Sequence, residues 1–167
     1  VMTPIYATST YKQDGVGGLR SGYEYSRSAN PTRTAFEATM AALEQGERGF
    51  AFASGLAAEH TLLQALCRPG DHVVIPDDAY GGTYRLLDKV LTGFGLRYDM
   101  VDQTDLDALE AALTPNTRLI WVETPTNPLL NIADISALAQ VAHGAGAKLV
   151  VDNTFASPYL QTPLELG

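Results

Sequence analysis

The sequence predicts a doubly wound α/β fold, in which a mostly parallel sheet lies between helices and an extended arm precedes it. Short aliphatic runs alternate with longer amphipathic stretches, at lengths suited to right-handed crossovers between parallel strands. The runs at 73–75, 119–122 and 149–151 are apolar throughout, which is typical of strands covered on both faces. Residues 1–30 instead mix glycines with polar and aromatic residues and show no sustained period, which predicts the arm.

The first helix is predicted at 31–45, because Asn30 supplies a capping side chain and a proline occupies the first helical position. Phe36, Met40 and Leu43 follow at spacings of four and three, which predicts one buried helix face. Further along the chain, strands are predicted at 49–53, 72–76, 96–101, 119–123 and 148–152. The intervening helices are predicted at 56–67, 82–92, 105–113 and 132–143.

The composition is globular and disfavours several kinds of partner. The net charge of −8 leaves little basic surface for a nucleic acid or an anionic membrane. Cys67 is the one cysteine, and His60, His72 and His143 are far apart, so we expect neither an intrachain disulfide nor a metal site. No apolar run reaches the roughly 18 residues of a membrane span. We therefore expect a soluble, cytoplasmic protein.

A candidate ligand site lies beyond the carboxyl ends of the predicted strands, where open parallel sheets bind ligands. The turn formed by Ser54, Gly55 and Leu56 leads into a helix. The free N–H groups of a helix N-terminus suit a phosphate, although the turn equally fits a plain connection. Asp152 ends an aliphatic run, so its carboxylate must face a cleft, a cation or a helix cap.

Four further side chains belong to the same edge. Tyr80, beside two glycines, fits a ring stacked on an aromatic ligand or a loop tyrosine packed on a helix. Glu123 is part of the site or the solvated end of a strand. Asn127 lies between two prolines and is presented to a ligand or caps the next segment. Arg85 fits a substrate carboxylate or a surface ion pair.

The arm contributes Tyr25 and Arg27, whose hydroxyl and guanidinium groups match a phosphate but also suit an ordinary exposed segment. Other chemistries lack their motifs. No Gly-x-Gly-x-x-Gly or Walker loop occurs, which disfavours a nicotinamide cofactor or a nucleoside triphosphate. The absence of Gly-x-Ser-x-Gly disfavours a serine hydrolase.

Several short segments form an ordered set: YSR at 25–27, NPT at 30–32, ASGLAA at 53–58, YGGT at 80–83, ETPTNP at 123–128 and VDNT at 151–154. Each is weakly specific alone. Together, over essentially the whole chain, they resemble the Cys/Met-metabolism group of pyridoxal-phosphate enzymes. The stretch around Tyr80 is most similar to the group's bacterial cystathionine γ-synthases, and Gly82 stands where its methionine γ-lyases typically carry a cysteine.

The resemblance implies the large domain of the pyridoxal-phosphate aminotransferase-like fold. Residues 1–30 would be its N-terminal arm and residues 31–167 a part of the domain, with the remainder and a small domain following residue 167. In this family, residues matching Tyr25 and Arg27 bind the phosphate of a neighbouring subunit's cofactor. The resemblance therefore implies at least a dimer and, by the family pattern, a homotetramer formed as a dimer of dimers.

The implied cofactor is pyridoxal 5'-phosphate. Its phosphate would lie at the turn of Ser54, Gly55 and Leu56, held by the backbone N–H groups of the last two residues. Asp152 would pair with the protonated pyridine nitrogen, which keeps the ring an electron sink. Thr154 would line the cofactor.

Further roles follow from the same resemblance. Tyr80 would stack on the ring and act as the catalytic acid or base near the substrate amine, and Asn127 would lie near the ring's phenolate oxygen. Arg85 would face the distal carboxylate of an amino-acid substrate, with Glu123 as a second substrate-binding residue.

The implied reaction is a γ-replacement, in which the thiol of cysteine displaces the ester group of O-succinyl- or O-acetylhomoserine to give cystathionine. Cystathionine γ-lyase is the alternative. The chain holds only Lys12, Lys89 and Lys148, and none matches the lysine that forms a Schiff base with the cofactor. We expect that lysine beyond residue 167 and this stretch to be inactive alone; a non-catalytic fragment without the lysine is the further alternative.

Overall fold

The computed structural model describes residues 2–167, which form two compact units divided between Ala51 and Phe52. Residues 2–30 of the first unit form no helix and no extended strand. Isolated antiparallel bridges pair Thr10 with Tyr25 and Gln13 with Leu19. The division into an arm of residues 1–30 and a domain of residues 31–167 stays a prediction.

Helix α1, Pro31–Leu43, begins where the capping pattern predicts, since Asn30 accepts a hydrogen bond from the N–H of Thr32 at 2.8 Å. The predicted buried face is wrong. Phe36 is 56% exposed and Leu43 is 51% exposed. Within residues 2–51, α1 is the single helix and no strand accompanies it, so the first unit offers no second element to cover that face.

The predicted strand at 49–53 is also wrong. Ala51 donates its N–H to Oε1 of Glu37 at 2.9 Å, and a Cβ added to Gly49 would lie 2.4 Å from the Glu37 carbonyl oxygen. Phe50 is 72% exposed. Residues 49–51 run against α1, and the described residues provide the segment with no strand partner.

The second unit, Phe52–Gly167, is built on a four-stranded parallel sheet in the order β2-β1-β3-β4. The strands are β1 His72–Pro76, β2 Arg97–Val101, β3 Thr117–Glu123 and β4 Lys148–Asp152. Strands β1 and β4 have the predicted bounds. Strand β2 begins one residue later than predicted, and β3 begins two residues earlier.

The helices of this unit are α2 Gly55–Leu66, α3 Gly81–Lys89, α4 Leu106–Ala112, α5 Ile135–Gly144 and α6 Ser157–Leu160. Short 3₁₀ turns follow at Leu91–Phe94 and Pro163–Glu165. The side chains of Ser54, Asp105 and Asp134 cap α2, α4 and α5. Each accepts a 3.1 Å hydrogen bond from the N–H of the residue three positions later. Among residues 2–167, no helix combines the length and the apolarity needed to cross a membrane.

The two central strands are covered on both faces. Alternate residues point to opposite sides of a strand, and here each side meets its own helix layer. Val73, Ile75, Leu119 and Trp121 share a cluster with residues of α2 and α3. Val74, Ile120 and Val122 share a cluster with residues of α4 and α5. The doubly wound α/β class is therefore confirmed.

The strand order creates a crevice at the carboxyl ends of β1 and β3. The chain leaves β1 through α3, which covers one face of the sheet, and leaves β3 through α5, which covers the other. Neighbouring strands whose connections diverge in this way open a ligand-binding crevice.

Leu138→Ala in the full-length protein is expected to lower the free energy of unfolding by about 2–5 kcal/mol, because it removes buried methyl groups and leaves a void. Leu138 is 0% exposed in α5. Urea unfolding measures the change. Gln140→Ala, on the exposed side of the same helix, is the control and should change stability by less than about 0.5 kcal/mol. Equal losses in the two variants would contradict the described core.

Candidate active site

A cavity of about 290 Å³ lies at the carboxyl edge of the sheet, near the lower end of the about 300–1,000 Å³ typical of small-molecule sites. It brings together eight residues singled out from the sequence: Ser54, Gly55, Leu56, Tyr80, Glu123, Asn127, Asp152 and Thr154. Three further residues line the cavity that were not predicted from the sequence: Glu59, Pro125 and Phe155.

The turn before α2 offers free backbone donors to the cavity. The Ser54 side chain accepts the N–H of Ala57 at 3.1 Å, and the Ser54 carbonyl accepts that of Ala58 at 3.2 Å. The N–H groups of Gly55 and Leu56 belong to the first turn, which has no intrahelical acceptors. A Cβ on Gly55 would meet nothing within 4 Å, so an anion has room to reach these donors.

Asp152 is the last residue of β4, and its carboxylate is held in place by the residue two positions later. Oδ1 accepts hydrogen bonds from the N–H of Thr154, at 3.0 Å, and from the Thr154 hydroxyl. This fixes the carboxylate plane and leaves Oδ2 available to a ligand in the cavity. Asp152 lies beside Glu123 in the register of β4 and β3.

Glu123 joins two loops that line the cavity. Its side chain is 5% exposed. Oε2 accepts the N–H of Tyr80 at 2.8 Å, and Oε1 accepts the N–H of Asn127 at 2.9 Å. Burial raises the pKa of Glu123 above its ordinary value; the bond from Tyr80 opposes this, and the charge of Asp152 adds to it. The carboxylate thus fixes the backbone beneath two candidate cofactor residues.

The Tyr80 ring lies against Gly82. A Cβ added to Gly82 would be 2.3 Å from Cε1 of Tyr80 and 2.9 Å from Cδ1, which is closer than non-bonded carbon atoms approach. The ring can therefore occupy this position only while residue 82 is glycine. Tyr80 remains 42% exposed, so one side of the ring is open to a partner.

Glu59 is the cavity residue that sequence reasoning most clearly missed. It lies one turn after Gly55 in α2 and is 7% exposed. Thr83 of α3 donates its hydroxyl to Oε2 of Glu59 at 2.9 Å. Burial raises the pKa of Glu59; the Thr83 bond opposes this, and the charge of Asp152 adds to it. The signal in the sequence was a glutamate among apolar residues, on a helix whose side chains tilt toward its N-terminus.

Arg85, Tyr25 and Arg27 do not line this cavity. The Arg85 guanidinium lies over the start of α3, where a Cβ on Gly81 would be 3.0 Å from Nη1. Tyr25 and Arg27 belong to the first unit, in which the Arg27 guanidinium carbon lies 4.9 Å from the centre of the Tyr25 ring. Their predicted roles stay predictions.

The cavity is acidic. Glu59, Glu123 and Asp152 contribute carboxyl groups, and its described lining includes no lysine, arginine or histidine. Within residues 2–167, no cluster of three or more histidine, cysteine, aspartate or glutamate residues is arranged to hold a metal ion.

The family described as Cys/Met metabolism PLP-dependent enzyme matches residues 1–167. The chain belongs to this family, whose cofactor is pyridoxal phosphate, and the resemblance identified from the short segments is confirmed.

Known proteins similar to the chain include both synthases and lyases. A cystathionine γ-synthase of Mycobacterium tuberculosis is 64% identical over the whole chain, which covers 43% of that protein. A cystathionine γ-lyase of Bacillus subtilis is 54% identical over the whole chain, which covers 44% of it. The crystal structure of metB from Corynebacterium glutamicum matches 99% of the chain with a TM-score of 0.95 and 56% identity, and the chain covers 43% of it. The chain thus spans less than half the length of these relatives.

Glu123→Gln in the full-length protein is expected to lower the free energy of unfolding by about 1–3 kcal/mol. The amide has one acceptor oxygen, so one of the two backbone N–H groups now bound by Glu123 would face an NH₂ donor. Urea unfolding measures the loss. Glu110→Gln makes the same chemical change on an exposed part of α4 and should leave stability nearly unchanged. Indistinguishable stabilities for the two variants would show that the bonds of Glu123 do not support the loops.

Proposed function

We propose that the full-length protein is a cytoplasmic cystathionine γ-synthase that acts toward methionine biosynthesis. In the reaction, the cysteine thiol replaces the ester group of O-succinyl- or O-acetylhomoserine and yields cystathionine. The observation that carries the proposal is the meeting of Asp152, Tyr80, Asn127 and the turn before α2 around one cavity. The synthase is favoured over the γ-lyase because the mycobacterial synthase is 64% identical and the Bacillus lyase 54% identical.

The described residues fit pyridoxal phosphate. The N–H groups of Gly55 and Leu56 would hold the phosphate with the help of the helix dipole, and Ser54 shapes the turn. The anchored carboxylate of Asp152 would hold the proton at the pyridine nitrogen. Thr154 keeps that carboxylate oriented.

The ring would lie between the two loops that Glu123 joins. The open side of the Tyr80 ring would stack on it, and Asn127 would donate its side-chain amide to the phenolate oxygen. When bound, pyridoxal phosphate supplies an electron sink for negative charge at the carbon atoms of an amino acid. The Tyr80 hydroxyl would take or give a proton at the substrate amine. Glu123 would help to bind the substrate by holding the loops that carry Tyr80 and Asn127.

The charge of the cavity favours an assembly of subunits. A bound phosphate adds negative charge to a lining that contains three carboxyl groups and no described cationic side chain. A neighbouring subunit's Arg27, with Tyr25, would supply the missing positive charge and phosphate donors. The proposal therefore includes a homotetramer built as a dimer of dimers. Within each dimer, each subunit would supply Tyr25 and Arg27 to the cofactor site of the other.

The proposed enzyme needs a Schiff-base lysine in addition to the residues described. Lys148 begins β4, at the opposite end of the strand from Asp152, and Lys89 ends α3. Neither lines the cavity, and nor does Lys12. We place the lysine outside residues 1–167. If the full-length protein lacks it, the alternative of a non-catalytic fragment stands.

Arg85→Ala distinguishes substrates by their distal carboxylate. O-succinylhomoserine carries that group and O-acetylhomoserine does not, so the variant should raise KM for the succinyl ester and leave KM for the acetyl ester unchanged. Loss of a charge-assisted hydrogen bond worth about 1.5–3 kcal/mol corresponds to a rise of about tenfold or more. Cystathionine formation from each ester with cysteine, by the full-length holoenzyme, is the measurement.

Arg118→Ala, at the opposite edge of the sheet, is the matched control and should change neither KM. Equal effects of Arg85→Ala on both esters would contradict the role of Arg85. If the holoenzyme consumes neither ester with cysteine but cleaves cystathionine, the lyase replaces the synthase as the function.

A further inference from the structure

Glu59 connects the two segments that would bind opposite parts of the cofactor. It lies on α2, four residues after Gly55, and accepts a hydrogen bond from the Thr83 hydroxyl at 2.9 Å. Thr83 is 0% exposed and lies on α3, three residues after Tyr80. The bond therefore connects α2, whose first N–H groups would bind the phosphate, to α3, which follows Tyr80.

Among the described residues that line the cavity with Glu59, none carries a positive charge that would pair with its carboxylate. Thr83 of α3 contacts Glu59 directly. Tyr80 before α3, Glu123 of β3 and Asp152 of β4 line the same cavity as Glu59. Two of these groups are acids, and the described lining contributes no cation. A buried carboxylate without a cation is costly, and a phosphate bound at the N-terminus of the same helix would increase that cost.

We propose that Glu59 is a positioning residue of the cofactor site that holds a proton when the cofactor is bound, so that cofactor binding is coupled to proton uptake at Glu59. The neutral carboxyl keeps its bond to Thr83 and removes one negative charge from beside the phosphate. The inference rests on the proposed placement of pyridoxal phosphate and not on the reaction that the enzyme catalyses.

Titration of full-length apo-protein with pyridoxal phosphate tests the coupling, with tryptophan fluorescence as the readout over about pH 5–9, since buried glutamates titrate as high as about 8–9. The dissociation constants of the wild type and of Glu59→Gln are compared at each pH. Ionisation of the cofactor itself affects both proteins and cancels in their ratio.

The expected ratio of wild-type to Glu59→Gln dissociation constants is near one at the acid end of the range. Above the pKa of Glu59 in the free protein, the ratio should rise by up to about tenfold per pH unit, the limit for uptake of one proton. Thr83→Val removes a bond that favours the ionised form, so its affinity should begin to fall at a higher pH. Thr83→Ser keeps the hydroxyl and should behave as the wild type.

Urea unfolding of the apo-protein gives a second readout without cofactor. Because the pKa of Glu59 is raised in the folded state, its contribution to stability is complete below its unfolded-state pKa and is lost as pH rises through the folded-state pKa. Wild-type stability should therefore decline with rising pH, and Glu59→Gln should show a smaller decline, because the raised pKa of Glu123 still contributes to it. Glu110→Gln, on the exposed part of α4, should keep the decline.

A ratio that stays constant across the pH range overturns the proposal. Asp152→Asn separates this failure from a failure of the cofactor placement. If Asp152→Asn weakens cofactor binding while the Glu59→Gln ratio stays constant, only the role of Glu59 is wrong. If neither variant changes the affinity at any pH, the cofactor lies elsewhere and both proposals fall.

Discussion

The Glu123 carboxylate accepts hydrogen bonds from two backbone N–H groups, and these bonds fix the loops that line the cavity. Tyr80 and Asn127 belong to loops after different strands, and no regular secondary structure connects their peptides. Hydrogen bonds of 2.8 and 2.9 Å to one carboxylate keep them at a fixed separation. A charged acceptor in a buried setting makes such bonds stronger than neutral ones. The register of β3 with β4 then places Asp152 beside Glu123, so one strand end orders three parts of the site.

The three carboxyl groups of the cavity differ in what balances them. Glu123 accepts hydrogen bonds from two backbone N–H groups. Asp152 accepts its bonds from Thr154 on one oxygen, whereas Glu59 accepts one bond, from the Thr83 hydroxyl. Asp152 lines the cavity and uses only Oδ1 in its bonds to Thr154, so Oδ2 would be the oxygen that pairs with a protonated pyridine nitrogen in the proposed site. In the proposed site, the cofactor nitrogen therefore balances Asp152 and a proton balances Glu59. In that proposal, this division of roles would reduce the negative charge around a bound phosphate ester.

The sheet and most of the site were predictable from the sequence because both depend on local patterns. Continuous aliphatic runs specify β1 and β4, whose bounds match the prediction. Asp152 was identifiable because a carboxylate at the end of such a run must leave the core. The cap at Ser54 follows from the residue type and its place before a helix.

The incorrect predictions concern features that depend on distant partners. The segment 49–53 has the composition of a strand, but Ala51 gives its N–H to Glu37. The apolar stripe of α1 has the period of a buried face, yet Phe36 is exposed because residues 2–51 contain no second helix or strand to cover it. Glu59 acquires its importance from Thr83, which lies on another helix. Sequence periodicity reports which side of an element is apolar and carries no information about what covers it.

A crystal structure of the full-length protein with pyridoxal phosphate tests the central claim, that this edge of the sheet holds the cofactor, most directly. The claim predicts the phosphate within hydrogen-bond distance, about 3 Å, of the N–H groups of Gly55 and Leu56, with the pyridine nitrogen at Oδ2 of Asp152 and the Tyr80 ring stacked on the cofactor. A phosphate bound away from the turn before α2, or a pyridine nitrogen without contact to Asp152, would contradict it.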